Sequence, residues 1–353
     1  MLEEGIPRKI HPNTPEQQVC AHGKPFVEHC DSCLVQSKDQ PAWATINQLR
    51  ENSRVQRDNM TIDCQITSRE GDIFSIKAIR SRDDSELGTL LALMDKHFKE
   101  DTLNSKEAFI QKMEGKTQFG KERPQYRCFH VKNNEGKMIG LRVSEQFPLF
   151  DAKGTETNEN IFYAMYIAID EEYRSVGLAR EMYISSLIDA IEQSEKRRQK
   201  LNYIVGECSP RTEELQNAVG LKRVYLKSEG VLKELPYYQP PMKFDGQTGA
   251  PLSQEAAEHI MLFKMDGKLT KEELFLAIKS LYIQYQNNYP REAFASDEAF
   301  EKHQEYFEKV YRELSDEIQN GEEMILLSKQ EREDLIKKGS TVLNFEAADQ
   351  NRT

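Results

Sequence analysis

The sequence lacks the features by which a chain enters or crosses a membrane. No apolar run approaches the ~20 residues that a transmembrane helix needs. Residues 1–18, MLEEGIPRKIHPNTPEQQ, are polar and have no apolar centre of the kind found in a signal peptide. We therefore expect a cytoplasmic protein with no membrane partner.

An excess of positive charge is also missing. The chain has 353 residues, with 48 Lys and Arg against 59 Asp and Glu, and a formal net charge of −11. A chain of this sign is repelled by phosphate backbones and anionic lipid, so we expect no nucleic-acid partner. The length exceeds that of a typical single domain and predicts two or three units.

The N-terminal part has little periodic patterning. Residues 1–70 hold the single tryptophan, Trp43, and are rich in Gln, Asn, Pro and charge, which predicts an irregular segment. Residues 71–266 alternate strand and helix patterns. Residues 267–353 carry apolar stripes at helical spacing and predict a helical extension that frays from about residue 329. The stripes pack either on the preceding domain or on a partner, which is a second copy of the chain or another helix. The pattern leaves these alternatives open.

Cysteines are few, with six in the chain. In a reducing compartment they are thiols or metal ligands rather than disulfides. Residues 20–33, CAHGKPFVEHCDSC, combine the Cys-x-x-Cys spacing of a zinc knuckle with a nearby Cys-x-His, and predict a structural zinc. An irregular tail with a redox-active or idle cysteine pair is the alternative. The expected zinc ligands are Cys20, His22, Cys30 and Cys33.

A short glycine-containing turn joins a strand pattern to a helix pattern. The apolar run IFYAMYIAI, residues 161–169, precedes RSVGLA, and the helical run ISSLIDAIEQ follows. At such a junction several backbone N–H groups point the same way and the helix dipole adds positive potential, so phosphate binds without a lysine. Gly177 allows close approach of the backbone to a ligand, and Ala179 leaves the first helical turn uncluttered.

This turn carries a resemblance to a known family. The run Arg174 to Ala179 matches the signature of the GCN5-related N-acetyltransferases, which is Arg or Gln, two residues, Gly, one residue, Gly or Ala. The chain resembles that family over residues 72–265. The resemblance implies an α/β fold, with a splayed mixed sheet flanked by helices, and acetyl-CoA as cosubstrate in the opening. The implied contacts of its pantetheine arm and diphosphate are Tyr166, Ile167, Ala168, Ile169, Arg174, Ser175, Val176, Gly177, Leu178 and Ala179.

The match departs from the family at two expected cofactor contacts. Ser209 lies near the usual Asn, and Gln216 stands where a helix tyrosine commonly protonates the leaving thiolate. Since an amide cannot give up a proton as a phenol can, we expect Tyr225, Tyr163 or water to do so. Glu207 ends the strand pattern YIVGEC and is the candidate general base. A solvated strand-end or helix-capping carboxylate is the alternative for Glu207.

The sequence as a whole predicts an acetyl-CoA-dependent N-acetyltransferase. Its acceptor is an amine, of a small molecule or of a peptide, that attacks the thioester directly. The alternative is a non-catalytic acyl-CoA-binding module whose N- and C-terminal extensions bind partners, and the missing tyrosine at position 216 keeps it open. The proline- and tyrosine-rich stretch 235–241 either walls the acceptor site or packs on the domain surface.

Overall fold

The fold is described from a computed structural model, which covers most of the chain after residue 63. The irregular segment predicted for residues 1–70 lies outside the description, apart from one short strand. The described residues are 64–67, 72–98, 106–115, 126–174, 177–208, 213–241, 243–253 and 255–345.

Twelve strands in the described part of the chain form one mixed sheet. All pairings are antiparallel except β5 with β6 and β8 with β12, which are parallel. The order is β1-β2-β3-β4-β5-β6-β10-β7-β8-β12, with β9 beside β10 and β11 beside β7. The strands are β1 (Cys64–Thr67), β2 (Ile73–Ile79), β3 (Tyr126–Lys132), β4 (Met138–Phe150), β5 (Glu156–Ile169), β6 (Lys200–Cys208), β7 (Lys222–Ser228), β8 (Val231–Glu234), β9 (Tyr237–Gln239), β10 (Ala256–Lys264), β11 (Glu323–Leu327) and β12 (Val342–Leu343).

Seven α-helices flank the sheet in the same described ranges. Capping boxes fix the starts of two of them, formed by Thr270 with Glu273 and by Ser328 with Glu331. Short 3-10 turns cover Glu171–Tyr173 and Arg291–Ala293. The helices are α1 (Leu87–His97), α2 (Lys106–Met113), α3 (Leu178–Lys196), α4 (Glu213–Ala218), α5 (Lys271–Asn287), α6 (Asp297–Asn320) and α7 (Lys329–Lys337).

The two faces of the central strands bury different helices because side chains alternate along a strand. One face packs against α5 and α6 in the largest apolar core, and the other packs against α3. The expected mixed α/β fold with helices on the sheet is therefore confirmed. Side chains on the α5 face include Tyr163, Val205 and Leu262, and those on the α3 face include Phe162, Ile204 and Met261.

The C-terminal extension differs from the expected helices with a frayed end. Strand β11 pairs with β7, and β12 pairs with β8, so the extension adds two strands to the sheet. Helix α7 begins where fraying was expected, and its capping box at Ser328 is a sequence signal for that start. Strands of two and five residues are too short for a reliable period, which is why the pattern missed them. None of the described helices has both the length and the apolar composition needed to cross a bilayer.

Candidate active site

The sheet opens between β5 and β6. These parallel strands are paired from Glu159 and Lys200 as far as Ala164 and Gly206. Beyond that point β5 stays on β4, while β6 stays on β10. Residues 165–169 of β5 therefore lie beyond the part of the strand that is in register with β6. A strand edge of this kind presents backbone N–H and C=O groups to an extended ligand.

A β-bulge explains the opening. Val143 pairs with Tyr166, but the next residue, Ser144, pairs with Ala164, so Met165 is an extra residue on β5. A bulge bends its strand and increases the local twist. It follows the last β5–β6 pair directly, which turns the end of β5 away from β6. The backbone of residues 166–169, expected to contact pantetheine, lies along the opening.

The expected diphosphate turn follows β5 directly. Gly177 caps α3 with φ 88° and ψ −1°, a left-handed conformation that favours glycine, and no side chain caps the helix there. The first N–H groups of the helix, including those of Leu178 and Ala179, have no intrahelical acceptor and lie at the positive end of the helix dipole. Arg174 Nε donates to Ile169 O at 3.2 Å, so this side chain lies back on the strand end.

Asp170, directly after β5, anchors the start of the segment that leads into the turn. It is buried, and it accepts hydrogen bonds from Lys96 Nζ and, at 3.1 Å, His97 Nε2. Burial alone would raise the pKa of Asp170, but the hydrogen bonds from Lys96 and His97 outweigh it and hold the pKa below its usual value. The end of β5 is thus fixed to the C-terminus of α1, an anchor that the sequence analysis did not identify.

Glu207 stands one residue past the last β5–β6 pair and is held by four donors. Its Oε2 accepts from Tyr163 Oη at 2.5 Å and from Gln239 Nε2 at 2.9 Å. Its Oε1 accepts from Tyr237 Oη at 2.5 Å and from Tyr285 Oη at 3.2 Å. Tyr163 lies on β5, Tyr237 and Gln239 lie on β9, and Tyr285 lies on α5, so three separate elements meet at this carboxylate.

Burial decides the protonation of this cluster. It raises the pKa of Glu207 above the ordinary carboxyl value, and the phenol hydrogen bonds reduce this rise without cancelling it. Burial also raises the pKa values of Tyr163, Tyr237 and Tyr285 well above that of a free phenol. The phenols therefore remain protonated at neutral pH, and the carboxylate is the group that accepts a proton.

A second carboxyl group lies on the same face of the sheet. Ile260 of β10 pairs with Glu207, and Glu258 is two residues earlier on that strand, next to Tyr237 in the β9 register. Burial, and then the charge of Glu207, raise the pKa of Glu258 to about 7. Two nearby carboxylates favour a cation between or beside them. No sequence pattern indicates this role for Glu258, because it is far from Glu207 along the chain.

Gln216 reaches the opening from α4. Its Nε2 donates to Glu207 O at 3.0 Å. There is room for the amide because residue 206 is glycine: a Cβ on Gly206 would lie 2.6 Å from Gln216 Oε1.

Tyr225, the first candidate proton donor, lies in a different part of the molecule. Its hydroxyl donates to Asn344 Oδ1 at 2.7 Å, and its ring packs with Leu232 and Leu327. The structure therefore does not bring Tyr225 to Glu207, whereas it does bring Tyr163, the second candidate, into direct contact.

Cysteine chemistry is not part of this opening. Cys208 is buried, and burial raises the pKa of its thiol to about 12. Among the described residues no group of three or more His, Cys, Asp or Glu side chains is arranged to hold a metal ion. Several predicted site residues lie outside the described residues: the zinc ligands Cys20, His22, Cys30 and Cys33, and the cofactor contacts Ser175, Val176 and Ser209.

Comparison with known proteins gives structural matches only. No family model matches the chain. No curated protein matches it. Among solved structures, the chain is similar to NAA60 from Arabidopsis thaliana in complex with acetyl-CoA, with 11% identity and a TM-score of 0.36 over 55% of this chain and 99% of that chain. It is similar to the ribosomal-protein-S18-alanine N-acetyltransferase from Escherichia coli, with 15% identity and a TM-score of 0.31 over 56% and 96%.

A third match is the NatC complex bound to Gag peptide and CoA, with 15% identity and a TM-score of 0.34 over 56% of this chain and 99% of that chain. These likenesses are too distant to identify a reaction or a substrate, which are inferred below from the chain's own geometry.

Proposed function

We propose that the chain is an acetyl-CoA-dependent N-acetyltransferase that acts on an amine. The observation that carries this proposal is the end of β5–β6 pairing at Ala164 and Gly206. Around that one opening lie the end of β5 beyond its last pair with β6, the helix start at Gly177 and the carboxylate of Glu207. The signature turn from residue 174 to residue 179 supports the same assignment.

The cofactor would bind through backbone groups. The amides of the pantetheine arm pair with the edge of residues 166–169, in the manner of an added strand. The diphosphate accepts hydrogen bonds from the N–H groups at the start of α3, where the helix dipole favours negative charge. Gly177 leaves the approach open, since beyond its chain neighbours no atom of the described residues lies within 4 Å of the position that its Cβ would occupy.

The chemical step is direct attack on the thioester. The uncharged amine nitrogen forms a bond to the carbonyl carbon, the C–S bond breaks, and coenzyme A leaves as a thiolate. Because the bonded donors occupy the Glu207 oxygens, the amine gives its proton to the phenol oxygen of Tyr163 while that phenol gives its own proton to Glu207, and the thiolate takes a proton from water. A backbone N–H on the open edge of β5 would polarise the carbonyl. Burial suits Glu207 to the role because it raises the pKa of this carboxyl above its ordinary value.

A second candidate function rests on Gln216. Its amide bonds to the backbone of Glu207 and has no proton to give to a leaving thiolate. This observation favours a non-catalytic acyl-CoA-binding module with the same cofactor site.

One assay separates the two functions. The full chain is incubated with acetyl-CoA and a panel of small amines and peptides, free thiol is followed over time, and calorimetry measures binding of coenzyme A. Thiol release that depends on an amine supports the transferase. Tight binding without turnover across the panel supports the module, and absence of binding overturns both.

The role of Glu207 is tested by Glu207→Gln, which keeps the size of the side chain and removes the base. We expect kcat/KM to fall by a factor of about 10² to 10⁴, the usual contribution of a general base. The affinity for coenzyme A should not change, because Glu207 does not contact the diphosphate turn. Full activity in the variant would exclude Glu207 as the base.

A further inference from the structure

One residue of the C-terminal extension contacts three members of the cluster around Glu207. Tyr285 Oη lies 3.2 Å from Glu207 Oε1 and 3.0 Å from Tyr163 Oη, and it accepts from Gln239 Nε2 at 2.9 Å. It therefore contacts the carboxylate, the β5 phenol and the β9 amide at once. Neither the Tyr163 phenol nor the Gln239 amide joins as many members of the cluster.

The position of Tyr285 is fixed by the packing of α5. Leu274, Ile278 and Leu281 of this helix lie in the main apolar core against the sheet. Ser280 Oγ accepts from Phe150 N at 2.9 Å, which fixes the helix to the end of β4. Because α5 is held by its core side chains and by Ser280, the position of Tyr285 is fixed as well.

Helix α5 also holds β9 in position. The rings of Tyr282 and Tyr237 are stacked, with centroids 5.5 Å apart and planes 5° from parallel. Tyr282 Oη donates to Tyr238 O at 3.0 Å. The same helix thus positions a second donor to Glu207 through β9.

The four donors occupy the hydrogen-bond acceptor positions of the Glu207 carboxylate. Each oxygen of Glu207 accepts two hydrogen bonds, which is about the capacity of an ionised carboxylate. Loss of one donor leaves a lone pair of a half-buried anion without a partner and frees the carboxylate to rotate. Tyr285 is buried, so water does not take its place without rearrangement.

We infer that Tyr285 is a positioning residue for Glu207, so that helix α5 of the C-terminal extension forms part of the acyl-transfer site. The inference rests on the proposed role of Glu207 as the general base. Tyr285 holds the carboxylate in one orientation and stabilises its ionised form. The extension therefore contributes to catalysis as well as to the core.

The direction of the effect on pH dependence follows from the hydrogen bonds. Bonds from phenols lower the pKa of Glu207 against the rise that burial causes. Removing the bond from Tyr285 raises that pKa further. Because the base must be ionised to act, the acidic limb of the kcat/KM profile moves to higher pH.

The test compares Tyr285→Phe with Tyr311→Phe. Both changes delete one phenol hydroxyl from a buried ring, but Tyr311 lies on α6 and donates to Gln286 Oε1 at 2.6 Å, away from Glu207. For Tyr285→Phe we expect kcat to fall about tenfold, the effect of losing one hydrogen bond to a charged group. The acidic limb should move up while the KM for acetyl-CoA stays constant. Tyr311→Phe should change neither the rate nor the profile.

Several outcomes separate this inference from the proposed function. An unchanged rate and pH profile in Tyr285→Phe, with an active parent protein, overturns the positioning role alone. A parent protein that transfers no acetyl group overturns the function first. Should Tyr285→Phe fail to fold, Ser280→Ala releases α5 from Phe150 N and so loosens the position of Tyr285 without removing a donor to Glu207. The inference requires the acidic limb to shift upward in that variant too, and an unshifted limb overturns it.

Discussion

Gly177 is the residue at which backbone conformation and the proposed binding of coenzyme A coincide. Its φ of 88° is one that side chains with a Cβ rarely adopt, and it stands at the exposed start of α3. The site requires the backbone there both to turn sharply and to remain uncovered. Glycine meets the two requirements together, and any larger residue changes both.

We predict that Gly177→Val abolishes or strongly weakens binding of coenzyme A. Beyond the chain neighbours, no atom of the described residues lies within 4 Å of the new Cβ, so the expected cost in folding is backbone strain of about 1–2 kcal/mol. The loss of binding comes from the branched side chain covering the N–H groups at the start of the helix. Calorimetry with coenzyme A and a thermal melt measure the two effects.

Gly136→Val is the matched control for Gly177→Val. Gly136 has φ +79° in the β3–β4 turn and equally empty space around its Cβ. The same strain should appear in its melt, with the affinity for coenzyme A unchanged. Equal loss of affinity in both variants would mean that Gly177 acts through stability rather than at the ligand.

Sequence reasoning reached some of these residues and not others, for physical reasons. Gly177 and Glu207 lie where a strand pattern ends, and strand ends are visible in a sequence as changes of period. Tyr285 was part of an apolar stripe expected to face a core. A stripe shows which side of a helix is buried, but it does not show which polar atom a buried tyrosine meets. That partner comes from β6, 78 residues away in the chain.

At the scale of elements, a buried ionic network joins α4, β7 and α7. Glu213 Oε2 accepts from Arg223 Nη2 at 2.6 Å, and Glu213 Oε1 accepts from Arg332 Nη1 at 2.9 Å. All three side chains are buried. The network connects the helix that carries Gln216 to the C-terminal helix, so the far end of the chain helps to support one side of the opening.

We predict that Glu213→Gln lowers the free energy of unfolding by about 3 kcal/mol, because it removes the buried counter-charge of Arg332 and leaves Arg223 with Glu234 alone. Chemical denaturation measures this change. The adjacent Glu214→Gln is the control. Its ion pair with Lys329 is solvent-exposed and should contribute about 0–1 kcal/mol. Similar losses in both variants would show that the buried network has no special weight.

The acid response of this network has a defined sign. Burial alone would raise the pKa of Glu213, but the hydrogen bond from Arg332 and the charge of Arg223 outweigh it and depress the pKa. The stabilisation is therefore present above the ordinary glutamate value. It is lost as the pH falls through the depressed folded value.

For the whole molecule, the proposed catalysis and the stability depend on pH in the same direction. The proposed base requires a pH above the raised pKa of Glu207. The apolar core under α5 and α6, which supports Tyr285, contains a histidine that must stay neutral. His303 is fully buried and lies among the rings of Phe244, Phe294 and Phe307. Acid therefore protonates the proposed base and also destabilises the apolar core that supports Tyr285.

The last prediction concerns this histidine. Burial lowers the pKa of His303 to about 4, whereas an unfolded histidine titrates near 6.5. The unfolded state therefore binds the proton first. The contribution of neutral His303 to the free energy of unfolding is fully present above about pH 6.5. It is lost as the pH falls toward about 4, by about 3 kcal/mol in all.

Denaturant titrations across that range, on the parent and on His303→Leu, measure the contribution of this one side chain. The leucine variant carries no titrating group at position 303, so its loss of stability between these pH values should be smaller than that of the parent by about the same 3 kcal/mol. If the stability of the parent and of the variant changed equally with pH, His303 would bind its proton as readily in the folded protein as in the unfolded chain. The apolar core around it would then have to contain a counter-ion or water that stabilises the imidazolium.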